Sequence, residues 1–242
     1  MTSPTRRVFI KTATALTAAA AANNATAKPA PPLRIAMIGN RGHNRYILES
    51  LPHMPHAKVV GLAHGGPDDP IDKIAKWCGE NNHNPTIFDD YRVMLDEVKP
   101  DLLTVCGPFE LHAQMSIEAF NRGIPVFCEK TAATTLEDLH RLKKAHEKNP
   151  VHFATMMGLR YDPAFYTAWD QIQKGAIGEV RLINAQKSYK LGNRAPSYHL
   201  RETSSGLICW VGSHAMDAIH WFSNRAPFQS VTAMHTPQGN HG

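Results

Sequence analysis

At 242 residues the chain has the length of one large domain or two modest ones, and 43% hydrophobic with 19% charged residues excludes a disordered or fibrous protein. The formal net charge is +5, but residues 1–27 hold Arg6, Arg7 and Lys11 and no acid; without them 23 basic residues face 21 acidic ones, or +2. That balance removes the electrostatic case for a nucleic-acid partner.

The chain opens on Arg6-Arg7-Val8-Phe9-Ile10-Lys11, continues through an apolar, alanine-rich stretch from Thr12 to Ala22, and reaches small residues at Ala25-Thr26-Ala27. The layout is that of a signal peptide over 1–27, and the paired arginines resemble a twin-arginine export signal. About eleven weakly hydrophobic residues are too few to span a bilayer, which needs about 20. The mature protein is expected free of the membrane, in the periplasm or outside the cell, with the export machinery as a partner. Residues 28–32, rich in proline, read as a stiff linker.

From Leu33 the pattern turns to alternating strands and helices. Leu33–Ile38 reads as a strand ending at Gly39-Asn40-Arg41-Gly42, and Arg45–Leu51 as a helix; this layout aims backbone N–H groups at a diphosphate. His53-x-x-His56 lies between two prolines with no acid or cysteine nearby, which is a loop rather than a metal site. Strands follow at Lys58–Ala63, Thr86–Phe88, Leu102–Cys106, Pro125–Cys128 and Val151–Thr155, with helices at Ile71–Gly79, Tyr91–Val98, Leu111–Asn121 and Thr135–Glu147 between them. This predicts a Rossmann-like doubly wound parallel sheet over 33–156, with ligand at the carboxyl ends of the strands. Cys78, Cys106, Cys128 and Cys209 form no CxxC pair, and Cys106 and Cys128 close apolar runs where a buried thiol is expected; no metal site is expected.

At the strand ends five segments resemble the Gfo/Idh/MocA oxidoreductases. Pro108 to His112 is similar to that family's P-x-x-x-H, and Gly123 to Thr131, with Glu129-Lys130, to its G-x-x-V-x-x-E-K-P. Met157 to Pro163, with Arg160 and Tyr161, matches R-[FY]-x-P, while Gly175 to Val180 matches G-x-I-G-x-V. Ser205 to Asp217 is similar to the helix start that carries the family's histidine at His214. The resemblance implies NAD or NADP as cofactor and a hydride passed between the nicotinamide and a hydroxyl-bearing carbon of a sugar or cyclitol. It assigns catalysis to Lys130 and His214, and the dinucleotide to Gly39, Asn40, Arg41, Gly42, Pro108, His112, Glu129 and Lys130. Arg160, Tyr161, Tyr198 and Asp217 are assigned to substrate, with Asp217 able to orient His214. A near-neutral pKa would suit His214 as general acid/base.

Three departures narrow the expectation. Trp210 stands where many members carry an aspartate that works with the histidine, and Thr131 replaces the proline of the signature. His64-Gly65 stands at the second strand end where a ribose-binding acid belongs; Asp68 and Asp69 come a few residues late, and His64 with Arg41 leaves room for a 2′-phosphate. The polar segment Lys187–Arg201, with Tyr189, Tyr198, His199 and Arg201, corresponds to the family's pocket lining, and a tyrosine there could replace the missing acid. Residues 157–242 are expected to form an incomplete second α/β domain with a largely antiparallel sheet, including strands at Glu179–Gln186 and Ser230–His235. Such a domain often makes dimers, so a homo-oligomer is expected of the full length. Export of a folded protein implies a tightly held cofactor. Two other readings stay open: NAD-dependent glycoside hydrolysis by transient oxidation, and a non-catalytic dinucleotide- or sugar-binding relative.

Overall fold

A computed structural model describes residues 31–188, 190, 192–194 and 196–234; the expected export segment, Tyr189 and the polar end of the chain lie outside the described residues. Six strands, β1 (Leu33–Ile38), β2 (Ala57–Ala63), β3 (Thr86–Phe88), β4 (Leu102–Val105), β5 (Val126–Cys128) and β6 (Phe153–Thr155), form one sheet in the order β3-β2-β1-β4-β5-β6. Every pairing is parallel. Between the strands run α1 (Arg45–Ser50), α2 (Asp72–Glu80), α3 (Tyr91–Val98), α4 (His112–Phe120) and α5 (Leu136–Lys148). This is the doubly wound sheet expected from the alternation, and its strand order reverses at the β1–β4 pair, where such folds open a crevice.

The sheet is parallel because its central strands are apolar on both faces. Ile35 and Met37 of β1 point into one core with Val59, Leu62, Ile74 and Cys78. Ala36 and Ile38 point into the other, with Leu103, Val105, Met115, Phe120 and Leu142. The two-residue period of a strand thus feeds two helical layers from one run of sequence. Cys106 and Cys128 are buried free thiols, as their apolar settings imply. Helix starts are fixed locally: Asp90 accepts from the Arg92 N–H at the head of α3, and Thr135 from the Asp138 N–H at the head of α5.

Beyond β6 the chain forms α6 (Pro163–Gln173), the short α7 (Arg201–Ser204), a π-helical turn (Ile208–Gly212) and α8 (Ser213–Phe222). Trp169 stacks on Trp221 at 5.6 Å, joining α6 to α8. Thr131 Oγ1 donates to the Cys209 carbonyl at 3.1 Å and Ser205 Oγ to that of Thr134 at 3.2 Å, which seats this region on the carboxyl end of β5. The strand expected at Glu179–Gln186 does not form, and of the one expected at Ser230–His235 the described residues 230–234 carry no regular structure while its last residue lies outside the described residues; among the described residues nothing pairs with either segment. Alternation of residue types makes a strand only where a neighbour supplies the hydrogen bonds. No described helix is long and apolar enough to cross a membrane.

Phe120 is fully buried and meets Phe153 edge-on at 5.4 Å. Phe120→Ala should cost about 3–5 kcal/mol in urea unfolding followed by circular dichroism; a loss below about 1 kcal/mol would show that this core can collapse around the deletion.

Candidate active site

The carboxyl ends of β1, β2, β4 and β5 converge on the glycine turn after β1. Gly39 and Gly42 have φ of 77° and 65°, which side-chain-bearing residues rarely adopt. A Cβ on Gly39 would lie 2.4 Å from a carboxylate oxygen of Asp69, and one on Gly42 would lie 2.5 Å from Glu129 Cδ. Each glycine therefore makes room for an acid brought from another strand end. Asp69 is buried and accepts from the Asn40 N–H at 3.2 Å, with Arg41 Nε 3.8 Å away. Burial raises its pKa against that hydrogen bond. The 64–70 turn thus folds back, so an acid late in sequence arrives where the strand-end residues His64-Gly65 supplied none.

Glu129, only 1% exposed, occupies the crook of the same turn. It accepts from the His43 N–H at 3.2 Å, and its two oxygens lie 2.9 and 2.8 Å from His43 Nδ1. A carboxylate can only accept, so Nδ1 carries the hydrogen and Nε2 is left facing away from the pair. Lys130 Nζ lies 3.6 Å from the same carboxylate. Burial lowers the Lys130 pKa while Glu129 opposes the fall. The lysine is thus no solvated surface group.

Above this cluster is a cavity of about 290 Å³ lined by Gly42, His43, Phe109, Glu129, Lys130, Lys187, Arg194, Tyr198, Trp210 and His214. Trp210 and His214 are four residues apart across the π-helical turn and α8, so both face it. His214 is buried, its Nδ1 makes no hydrogen bond, and its ring meets His43 edge-on at 5.9 Å. Burial, then the charges of Lys130 and Lys187, hold its pKa down to about 4 rather than near neutrality. The imidazole is therefore neutral at pH 7, ready to accept a hydrogen bond but a weak proton store. Trp210 packs with Phe109 and Val211, and Tyr198 meets its ring edge-on at 5.1 Å. Burial raises the Tyr198 pKa, so the phenol serves as a neutral donor.

The sequence-assigned residues divide. Gly42, Glu129, Lys130, Tyr198 and His214 line the cavity together, while Gly39, Asn40 and Arg41 form the turn beside it and Pro108 lies against Gly65 and Gly66. His112 does not face the cleft: it is wholly buried, with Nδ1 2.8 Å from the Thr131 carbonyl and Nε2 2.9 Å from that of Gly107. Burial lowers its pKa, so the neutral ring braces the ends of β4 and β5 instead of meeting a cofactor. Arg160 and Asp217 pair with each other, Arg160 Nε donating to Asp217 at 3.0 Å, and neither lines the cavity. Tyr161 is 84% exposed and does not line the cavity. His43 is the residue the sequence did not single out, though it follows the glycine turn directly; Asp69 stood there only as a late acid, and Lys187 and Arg194 belong to the segment that the resemblance gives as pocket lining.

The residues fit a dinucleotide. Asp69 offers a buried acceptor for ribose hydroxyls at the β1–β2 ends, and His214, whose buried Nδ1 makes no hydrogen bond, lines the cavity beside the glycine turn. Residues 33–156 match a family model described as oxidoreductase family, NAD-binding Rossmann fold, and 165–241 match the GFO/IDH/MocA C-terminal domain. Inositol 2-dehydrogenase of Salmonella typhimurium is 24% identical over 84% of this chain and 60% of its own length. D-glucoside 3-dehydrogenase of Escherichia coli is 26% identical over 66% of this chain and 46% of its own. Among solved structures, a Thermotoga maritima protein described provisionally as an oxidoreductase superposes with a TM-score of 0.74 at 42% identity, covering 79% of this chain and 59% of the other. Scyllo-inositol dehydrogenase from Lactobacillus casei, solved with NAD(H) and scyllo-inositol, has the same fold at 20% identity and a TM-score of 0.66, over 80% of this chain and 56% of its own. The chain spans about half the length of the curated relatives it matches.

The depressed pKa of His214 makes stability depend on pH. An unfolded histidine protonates near 6.5, whereas the folded one waits until about 4, so stability drains as pH falls through this window. Between pH 7 and 5, His214→Gln should lose on the order of 2 kcal/mol less than the unsubstituted protein in urea unfolding. Parallel losses would place His214 in water.

Proposed function

The chain belongs to the Gfo/Idh/MocA oxidoreductase family with an NAD-binding Rossmann domain, and from that premise we propose that it oxidises or reduces a hydroxyl-bearing carbon of a sugar or cyclitol. The observation that carries this reading is the meeting of buried Lys130 and neutral His214 on one cavity beside the glycine turn. The names of the relatives, an inositol 2-dehydrogenase and a D-glucoside 3-dehydrogenase, support the substrate class.

The nicotinamide, when bound, supplies the hydride chemistry. Lys130, its ammonium held by Glu129, stabilises negative charge developing on the substrate oxygen. His214, neutral and lining the cavity, accepts the hydrogen bond of the reacting hydroxyl and takes its proton as the oxygen–hydrogen bond breaks. Because its folded pKa lies near 4, it passes that proton on rather than keeping it. The His43 ring, anchored through Nδ1 to Glu129, lies edge-on to it at 5.9 Å and offers the next acceptor. Trp210, unable to accept a proton, closes one wall.

Asp69 supports NAD over NADP, since a buried carboxylate accepts ribose hydroxyls and repels a 2′-phosphate. Arg6-Arg7, the apolar run to Ala22 and Ala25-Thr26-Ala27 support export by a twin-arginine route to the periplasm or beyond, with the dinucleotide retained tightly. Exposed Leu182 and Val231 support self-association of the C-terminal region.

Purified protein should release NAD(H) on denaturation and reduce added NAD in the presence of an inositol or glycoside, read at the nicotinamide absorbance. Lys130→Met should lower kcat by about a hundredfold or more while the dinucleotide still binds. Full turnover in that variant would remove the lysine from the reaction.

A further inference from the structure

Arg41 joins two parts of the molecule that lie 156 positions apart in sequence. Its backbone N–H donates to the Cys106 carbonyl at 2.7 Å, which pins it beside the carboxyl end of β4. Its side chain, only 17% exposed, has Nε 3.8 Å from Asp69 and donates from Nη1 to Ser197 Oγ at 3.3 Å. Ser197 sits in a single 3-10 turn, Pro196–Tyr198, whose last residue lines the cavity. That turn is braced from within: the His199 N–H donates to the Pro196 carbonyl at 2.9 Å, and Thr203 Oγ1 donates to the carbonyl of Ser197. The Tyr198 ring meets Phe109 edge-on at 5.1 Å, which seats the turn on the segment after β4. Both ends of the Arg41–Ser197 bridge are thus fixed by the chain around them, and the guanidinium spans the gap.

This bridge stands on the path of a dinucleotide. Asp69, the buried acceptor for a ribose, is on one side of Arg41; on the other, through Ser197 and Tyr198, is the cavity that holds Lys130 and His214. Between a ribose at the first and a nicotinamide in the second comes the negatively charged middle of the molecule, its diphosphate. A guanidinium carries five N–H donors in a planar fork that matches phosphate oxygens, and the Ser197 bond takes one of them. We propose that Arg41 and Ser197 form a clasp on the dinucleotide's diphosphate. Arg41 pairs with the phosphates, and Ser197 is a positioning residue that holds the guanidinium across the crevice and so slows release of the cofactor. A serine of the C-terminal region thereby shares in cofactor retention with the glycine turn. The proposal rests on the reading of Asp69 and the cavity as the two ends of a dinucleotide site.

The full chain is loaded with NADH, mixed rapidly with excess NAD, and the release of NADH is followed by nicotinamide fluorescence. Ser197→Ala should release NADH about five- to tenfold faster, the worth of one hydrogen bond to a charged group in a partly exposed setting. Ser197→Thr, which keeps the hydroxyl, should recover most of the slow release. Arg41→Met should release faster still, and adding Ser197→Ala to it should change nothing further, because the serine acts through the arginine. Release from Ser197→Ala at the unsubstituted rate, or slower, overturns the clasp even where Arg41→Met is fast, since the arginine then holds phosphate without the serine. Further acceleration by Ser197→Ala in the Arg41→Met background overturns it too, because the serine then has a separate role. A chain that takes up no NADH at all refutes the dinucleotide reading and the clasp with it, whereas NADH that binds and leaves Ser197→Ala unhurried refutes the clasp alone.

Discussion

A single buried carboxylate organises the site. Glu129 reaches from the end of β5 into the crook of the glycine turn after β1, two strands away in the sheet order, and meets His43 and Lys130 there. Burying an ion alone would cost several kcal/mol, and two cationic or donor partners with good geometry offset that cost. The turn must be glycine at 42 because the carboxylate fills the space a side chain would need. Lys130 must be at the cavity because its neighbour in sequence fixes the backbone that carries it. The charge of the pocket, the hydrogen on His43 and the orientation of Lys130 all follow from this one seat.

The sheet was legible in the sequence because its information is local. Each strand of a doubly wound sheet is a short apolar run, and the strand boundaries fell within two residues of the expected ones, as at Leu33–Ile38 and Thr86–Phe88. Lys130 and His214 were legible because a motif placed each at an element end. Asp69 was not, because its position depends on how the 64–70 turn folds back, and counting residues from the strand end made it look too late. Arg160 and Asp217 misled for the opposite reason. Charged residues in a motif suggest contact with substrate, yet their separation of 57 positions hid that they find each other.

The C-terminal region shows where pattern reading stops. Residues 179–186 read like a strand in sequence and carry no regular structure, since pairing is a property of two segments. By contrast α8 formed as expected, its heading π-helical turn excepted. Such turns widen a helix locally and often occur at functional sites; here one brings Trp210 and His214 to the same wall.

The Arg160–Asp217 pair, set outside the cavity, has a mechanical meaning. It fastens the segment after β6 to the middle of α8, and Asp217 is one turn from His214. Any swing that carried α8 away from the sheet would first have to part a largely shielded ion pair. The spacing between histidine and lysine is therefore kept by two residues that never touch what reacts, much as a brace behind a door frame keeps the latch aligned with the strike.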